Sequence, residues 1–418
     1  MNSRLPPSLA GDFRDAITGE VWERLPLVVS QSGPLRGGPK GAVETQNLVR
    51  SCMAAPLDFP AFEHAVVAGD HVALAVDPSV PQLETVLQGL CVWLEAAEVE
   101  RVSVVLWAET PRAFCDQLRS AVSASFSGTA TVCIHQPAER ESLGYVTADE
   151  AGDPVYLARE LVDADLIIPV LSCRSGDIDS SVDRSGLFPF LADASTLKRF
   201  QMQVASEDPA LAWMLSVHVV IVCSSDASGN LAGLMVGTPD AVRQRMTDCL
   251  TDRERDGVQA CPPADLVVAI LDGPPEIQTW INAYRAIQAA KDNVDDSGTI
   301  VLWSQISAST PSHWSNTLGR IANPTDSNDE EVTPPSEDGF DNWSLEHFAA
   351  RQLKPILEEH RVFAHGSMPF DELESLGMGQ LENVEQLQRL AASHRSAGVL
   401  RAAHLHSRSV DRLASKSP

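Results

Sequence analysis

Seven short apolar runs, rich in β-branched residues, recur along the chain and dominate its pattern. They are residues 71–76 (HVALAV), 102–107 (VSVVLW), 131–134 (TVCI), 165–171 (DLIIPVL), 217–223 (VHVVIVC), 265–271 (DLVVAIL) and 299–303 (TIVLW). Each is too short for a core helix and too uniformly apolar for a strand with one wet face. They read as strands buried on both faces. Helical periodicity fills the intervals at 81–97, 111–123, 154–162, 239–250 and 280–293, with proline at or near several starts, where a missing N–H is harmless. Strand alternating with helix predicts an α/β chain of two domains, with largely parallel sheets flanked by helices and a cleft between them.

The expected division is an N-terminal domain over 1–255 and a smaller C-terminal domain over 256–418. The polar stretch 251–263, which ends in Pro262-Pro263, marks the junction. Residues 321–350 hold no Lys or Arg, and acidic residues gather there around Pro334-Pro335. An acidic surface loop is expected over 321–347. The polar run 224–230 reads as a hairpin turn.

With 31 basic and 57 acidic side chains, the formal charge is −26. That charge repels nucleic-acid backbones and anionic membranes, so neither is expected as a partner. No apolar run approaches the roughly 18 residues a membrane helix needs. The opening MNSRLPP does not resemble a signal peptide, and the eight cysteines include no CxxC pair. A reduced, cytoplasmic setting is the expectation.

Common catalytic signatures are missing from the sequence: no GxGxxG follows the first strand, and there is no P-loop, GxSxG or HExxH. Asp177, Asp179, Ser181 and Asp183 alternate like a calcium loop, but Val182 and Phe188 stand where such a loop needs Gly and Glu. No metal site is expected. The pairs His360/His365 and His404/His406 read as surface histidines.

Several stretches, in chain order, resemble the nickel-pincer lactate racemase family. Residues 49–62 are similar to its "ALxNPIGSPPL". Residues 76–81 (VDPSVP) sit at its "SDxTRP", 106–112 (LWAETPR) at "ATGTHR", and 180–189 (SSVDRSGLFP) at "FSGGRKSVLP". Residues 273–286 resemble "GGYPLDINFYQAQKA", and 292–301 resemble "DNAARAVKPGGTII". The resemblance implies the family's two-domain α/β fold. It also implies a setting in which 2-hydroxy acids are isomerised on a nickel pyridinium-pincer nucleotide tethered to lysine.

The departures fall on that chemistry. Ser185 stands at the tethering lysine, directly after the matching Arg184, and Pro111 stands at the histidine between Thr110 and Arg112. A second histidine position falls near Ser175, Val80 replaces the substrate-binding arginine, Val182-Asp183 replaces the glycine pair, and Arg285 replaces the C-domain lysine. Serine cannot form the lysine linkage, and proline can neither take a proton nor ligate nickel. The expected reading is a catalytically divergent, cofactor-free relative that binds a small anionic ligand, a carboxylate or phosphate, in the interdomain cleft. Asp77, Thr110, Arg112, Arg184, Ser185 and Arg285 are its candidate ligand-binding residues, the guanidinium fork suiting such anions. Glu109 and Asp183 are candidate replacement bases. Two alternatives remain open: an active hydroxy-acid racemase or epimerase, and a non-catalytic structural or partner-binding relative. For the arginines, the competing reading is that they only hold the cleft shut.

Overall fold

The computed structural model describes residues 27–31, 38–39, 41–108, 110–148, 152–173, 187–188, 190–197, 217–225, 230–255, 263–271, 275–311, 314, 318 and 345–405. Two six-stranded sheets dominate it.

The first sheet is ordered β4-β3-β2-β7-β8-β9. Its strands are β2 (His71–Val76), β3 (Arg101–Leu106), β4 (Thr129–Ile134), β7 (Leu166–Ser172), β8 (Val220–Ser225) and β9 (Leu231–Gly237). All neighbours pair in parallel except β8 and β9, which form an antiparallel pair. The helices α1 (Ala42–Ala54), α2 (Leu83–Ala96) and α3 (Arg112–Ser125), with the later α5 (Pro239–Arg255), belong to this half. The antiparallel ribbon of β5 (Leu143–Ala148) and β6 (Pro154–Ala158), followed by the single turn α4 (Arg159–Val162), lies in the β4–β7 connection.

The second sheet is ordered β1-β14-β10-β11-β12-β13 and is parallel throughout. It comprises β1 (Leu27–Gln31), β10 (Ala264–Ile270), β11 (Val294–Trp303), β12 (Arg361–His365), β13 (Gly379–Gln380) and β14 (Ala397–Arg401). Its helices are α6 (Trp280–Lys291), α7 (Leu345–Glu359), α8 (Phe370–Ser375) and α9 (Val384–Ala392).

Period-two burial explains the continuous apolar runs. On β2, Val72, Leu74 and Val76 face one buried cluster, while Ala73 and Ala75 face another. On β10, Leu266, Val268 and Ile270 face outward into a third cluster, while Val267 and Ala269 join Ala73 and Ala75. One core therefore runs from the inner face of the first sheet to the inner face of the second, filled by α6 and α7. At about 25 cal/mol per Å² of apolar surface, this burial on both faces is the main term stabilising such strands.

Several expectations need correction. Residues 154–162 are not one helix. Val155 and Leu157 are buried with Tyr156 between them less so, a strand's period, and Pro154–Ala158 pairs with β5 before a single helical turn. The run at 131–134 ends an edge strand, half-open to solvent rather than buried on both faces. The expected acidic loop at 321–347 ends early, because Leu345 to His347 already belong to α7; the rest lies outside the described residues. Likewise Thr251 to Arg255 of the polar junction continue α5. His360 and His404 are buried, not on the surface, and His365 is half-buried with its ring stacked on Trp303 at 3.7 Å. His406 lies outside the described residues. Strand β1 comes from the first stretch of sequence yet pairs with β14 of the second sheet.

The edge strand β9 is bridged at its carboxyl end. The backbone N–H of Leu57 donates to the Val236 carbonyl at 2.7 Å, and Thr238 N–H donates back to Leu57 O at 3.1 Å. Gly237 sits at that bridge, where an added Cβ would lie 2.5 Å from the Leu57 carbonyl oxygen. Only glycine allows this approach, and the bridge closes the edge at that one position.

Candidate functional site

Parallel strands place their carboxyl ends on one edge, and in open α/β sheets the crevice beyond that edge, where strand order reverses, receives ligands. In the first sheet the order reverses between β2 and β7. Asp77 follows β2 there, almost wholly buried, and its carboxylate accepts from the backbone N–H of Ser79 at 2.8 Å and of Ser172 at 3.1 Å. The carboxylate thus ties the ends of two strands together.

After β3, Trp107 turns inward and stacks on Phe190, with centroids 4.0 Å apart and planes at 13°. Thr110 is buried, and both its N–H and its hydroxyl donate to the Trp107 carbonyl, at 3.1 and 2.7 Å. Its hydroxyl shapes this turn. Arg112 opens α3 and is exposed. Glu109, Asp183, Arg184 and Ser185, with the calcium-like run 177–183, lie outside the described residues.

The sequence reading missed His135, the residue directly after β4. It is buried, and its Nε2 bonds the Ala192 carbonyl at 2.8 Å. Burial lowers its pKa from 6.5 to about 4, against smaller opposing effects of that hydrogen bond and Asp193, so the ring is neutral near pH 7. Its place one residue past a strand was the available signal.

On the second sheet, a cavity of about 680 Å³ opens beyond the ends of β10, β11 and β12. Its wall is built from the start of α6 (Thr279 and Trp280) and the loop after β11 (Gln305 to Pro311). Thr279 caps α6 by accepting from Asn282 N–H at 3.2 Å. Gln278 braces the wall from both ends of its amide, donating to Leu271 O and accepting from Gln305 N–H, each at 2.8 Å. The Trp280 indole N–H is shared between the carbonyls of Ala308 at 3.2 Å and Ser309 at 3.1 Å. Glu372 holds the loop's far end, accepting from the N–H and the hydroxyl of Thr310 at 2.8 Å each. Among the described lining residues, Pro111 alone comes from the first half.

Arg285 lies further along α6, buried. Its Nη1 donates to Asn282 Oδ1 at 2.8 Å, and its guanidinium carbon is 5.9 Å from the Trp107 ring centroid. Neither Arg112 nor Arg285 is among the described residues lining the cavity.

Pro111 lines the cavity, and no lysine or histidine is among its described lining residues. No group of three His, Cys, Asp or Glu side chains able to hold a metal occurs among the described residues. Burial pushes the thiols of Cys91 and Cys133 up to about 12, far from the thiolate form that ligates metals. No helix among the described residues is long and apolar enough to cross a membrane.

One parallel sheet and one largely parallel sheet, joined through one core, give a lactate-racemase-like α/β fold. The structure is similar to the lactate racemase apoprotein from Thermoanaerobacterium thermosaccharolyticum, with a TM-score of 0.65 and 13% identity over 93% of this chain and 96% of that one. It is also similar to a Thermotoga maritima protein solved as a structural-genomics target, with a TM-score of 0.57 and 12% identity over 87% of this chain and 97% of that one. No protein-family model matches the sequence, and no curated protein does. At such identities the likeness is one of fold.

Proposed function

We propose that this chain is a catalytically divergent relative in the racemase-like superfamily, binding a small anionic ligand in the cleft between its halves without a tethered nickel nucleotide. The observation that carries the reading is Pro111 on the wall of the cavity that the start of α6 also lines. An inert ring at the position of a family histidine removes the proton acceptor that hydride-transfer isomerisation needs. The cavity is lined by both polar and apolar surface. The amino end of a capped helix of 12 residues favours a carboxylate or phosphate, and Ser307, Ser309 and Ser367 bring hydroxyls to the same wall.

The test is an intact mass and nickel analysis of protein from its native host, beside a melting screen with phosphate, sulfate and 2-hydroxy acids. The expected result is the bare chain mass, nickel well below one per chain, and a raised melting temperature with at least one anion. A ligand at about 100 times its Kd stabilises by about 2.7 kcal/mol. A cofactor-sized mass excess with stoichiometric nickel would overturn the reading in favour of an active isomerase. No response to any anion would overturn the ligand half.

A further inference from the structure

The carboxyl edges of the two sheets meet through four buried residues. From the first half come Ser79, beyond β2, and Trp107, beyond β3; from the second come Asn282 and Arg285, on one face of α6. Asn282 Oδ1 is the meeting point. It accepts from Arg285 Nη1 at 2.8 Å and, at a long 3.5 Å, from the Ser79 hydroxyl. Its Nδ2 donates inward to the Ile277 carbonyl at 2.9 Å, which fixes the amide's orientation. The guanidinium so held reaches toward the Trp107 ring, within the roughly 6 Å over which a cation and an aromatic face attract. Ser79 is itself anchored by its N–H to Asp77, and Trp107 by its stack on Phe190.

We propose that Ser79, Asn282, Arg285 and Trp107 form a polar latch that sets how the carboxyl edges of the two halves dock on each other. Each half presents two residues on rigid supports, in addition to the apolar core that the halves share. Apolar burial is non-directional, so these directional polar contacts are what select one docking geometry over the shared core. The Asn282 N–H also donates to the capping hydroxyl of Thr279, a residue of the cavity wall, so the latch and the wall share one helical turn. The inference stands whether or not the cavity binds an anion.

The experiment is a double-mutant cycle on the full chain with Ser79→Ala and Asn282→Ala, read by unfolding equilibria and by amide hydrogen exchange. Coupling of about fivefold in the unfolding constant, about 1 kcal/mol, is expected between the two sites. Asn282→Ala is expected to speed exchange in residues 71–80, across the boundary from the altered residue, and Ser79→Ala to do so in residues 277–285. Ser79→Thr keeps the hydroxyl and is expected to exchange like the parent. Additive stability effects, or exchange changes confined to the altered half, would overturn the latch. If Asn282→Ala does not fold, the comparison of Ser79→Ala with Ser79→Thr decides alone, and equal exchange in α6 for both rejects the proposal.

Discussion

The backbone N–H of Ser172 donates to the Asp77 carboxylate at 3.1 Å, joining the carboxyl ends of β7 and β2 where the strand order of the first sheet reverses. Asp77 was expected to meet a ligand; its carboxylate oxygens serve buried backbone donors on both sides. Replacing Asp77 by Ala leaves the Ser79 and Ser172 N–H groups without that acceptor and should cost roughly 2–5 kcal/mol. Urea unfolding checks this. A loss below about 0.5 kcal/mol, the range of an inert surface change, would show that the carboxylate does not organise this edge.

His135 predicts a pH effect with a definite sign. The ring titrates near 6.5 when unfolded and near 4 when folded. Between those values the unfolded chain binds a proton that the folded chain refuses, so stability falls as pH falls. Above pH 6.5 the group contributes no slope. The loss by pH 4 should be on the order of 3 kcal/mol, from 1.36 kcal/mol per unit of pKa difference. The readout is the stability difference between parent and His135→Gln, which cancels the other acids. It should be flat above pH 7 and move toward the variant below 6.5. A constant difference from pH 7 to 4 would contradict a neutral buried ring.

Gly237→Ala tests the bridged edge. The new methyl would press on the Leu57 backbone and lift the residue that closes β9. Overpacking of this kind costs typically 1–3 kcal/mol. Calorimetry should show a lower melting temperature, and exchange should quicken at Leu57 and Thr238 before the strand interior. An unchanged melting temperature would mean that the bridge contributes little.

Pro111→His restores one family histidine to the cavity wall. It is expected to leave lactate racemisation undetectable, because one proton acceptor does not supply a hydride carrier. Chiral analysis of D- and L-lactate after long incubation is the measurement. Turnover in this single variant would show that the remaining machinery is intact and would reverse the reading of a divergent site.

The strands could be read locally because burial on both faces leaves an uninterrupted apolar run, as at His71–Val76, where the expected and observed limits coincide. The helix α6 was as plain, with apolar residues at helical spacing from Trp280. Pro154–Ala158 misled, because a proline followed by mostly apolar residues suits a helix start as well as a strand. Pairing with β5 decided between them. His360 and His404 carry no local mark of burial. They are enclosed because α7 and the segment after β14 pack against the rest of the second half.

The site divides in the same way. Asp77, Thr110 and His135 each stand just past a strand, and a parallel sheet sends all such positions to one edge, so their neighbourhood follows from chain order alone. That Pro111 lines one cavity with the start of α6, that Arg285 reaches toward Trp107, and that residues 27–31 complete the sheet of residues 264–401 followed only from the folded arrangement. The physical reason is range. Strand and helix patterns come from the alternation of neighbours within a few residues. Docking of the two halves depends on side chains far apart in sequence, whose contact free energy exists only once the shared core has closed around them.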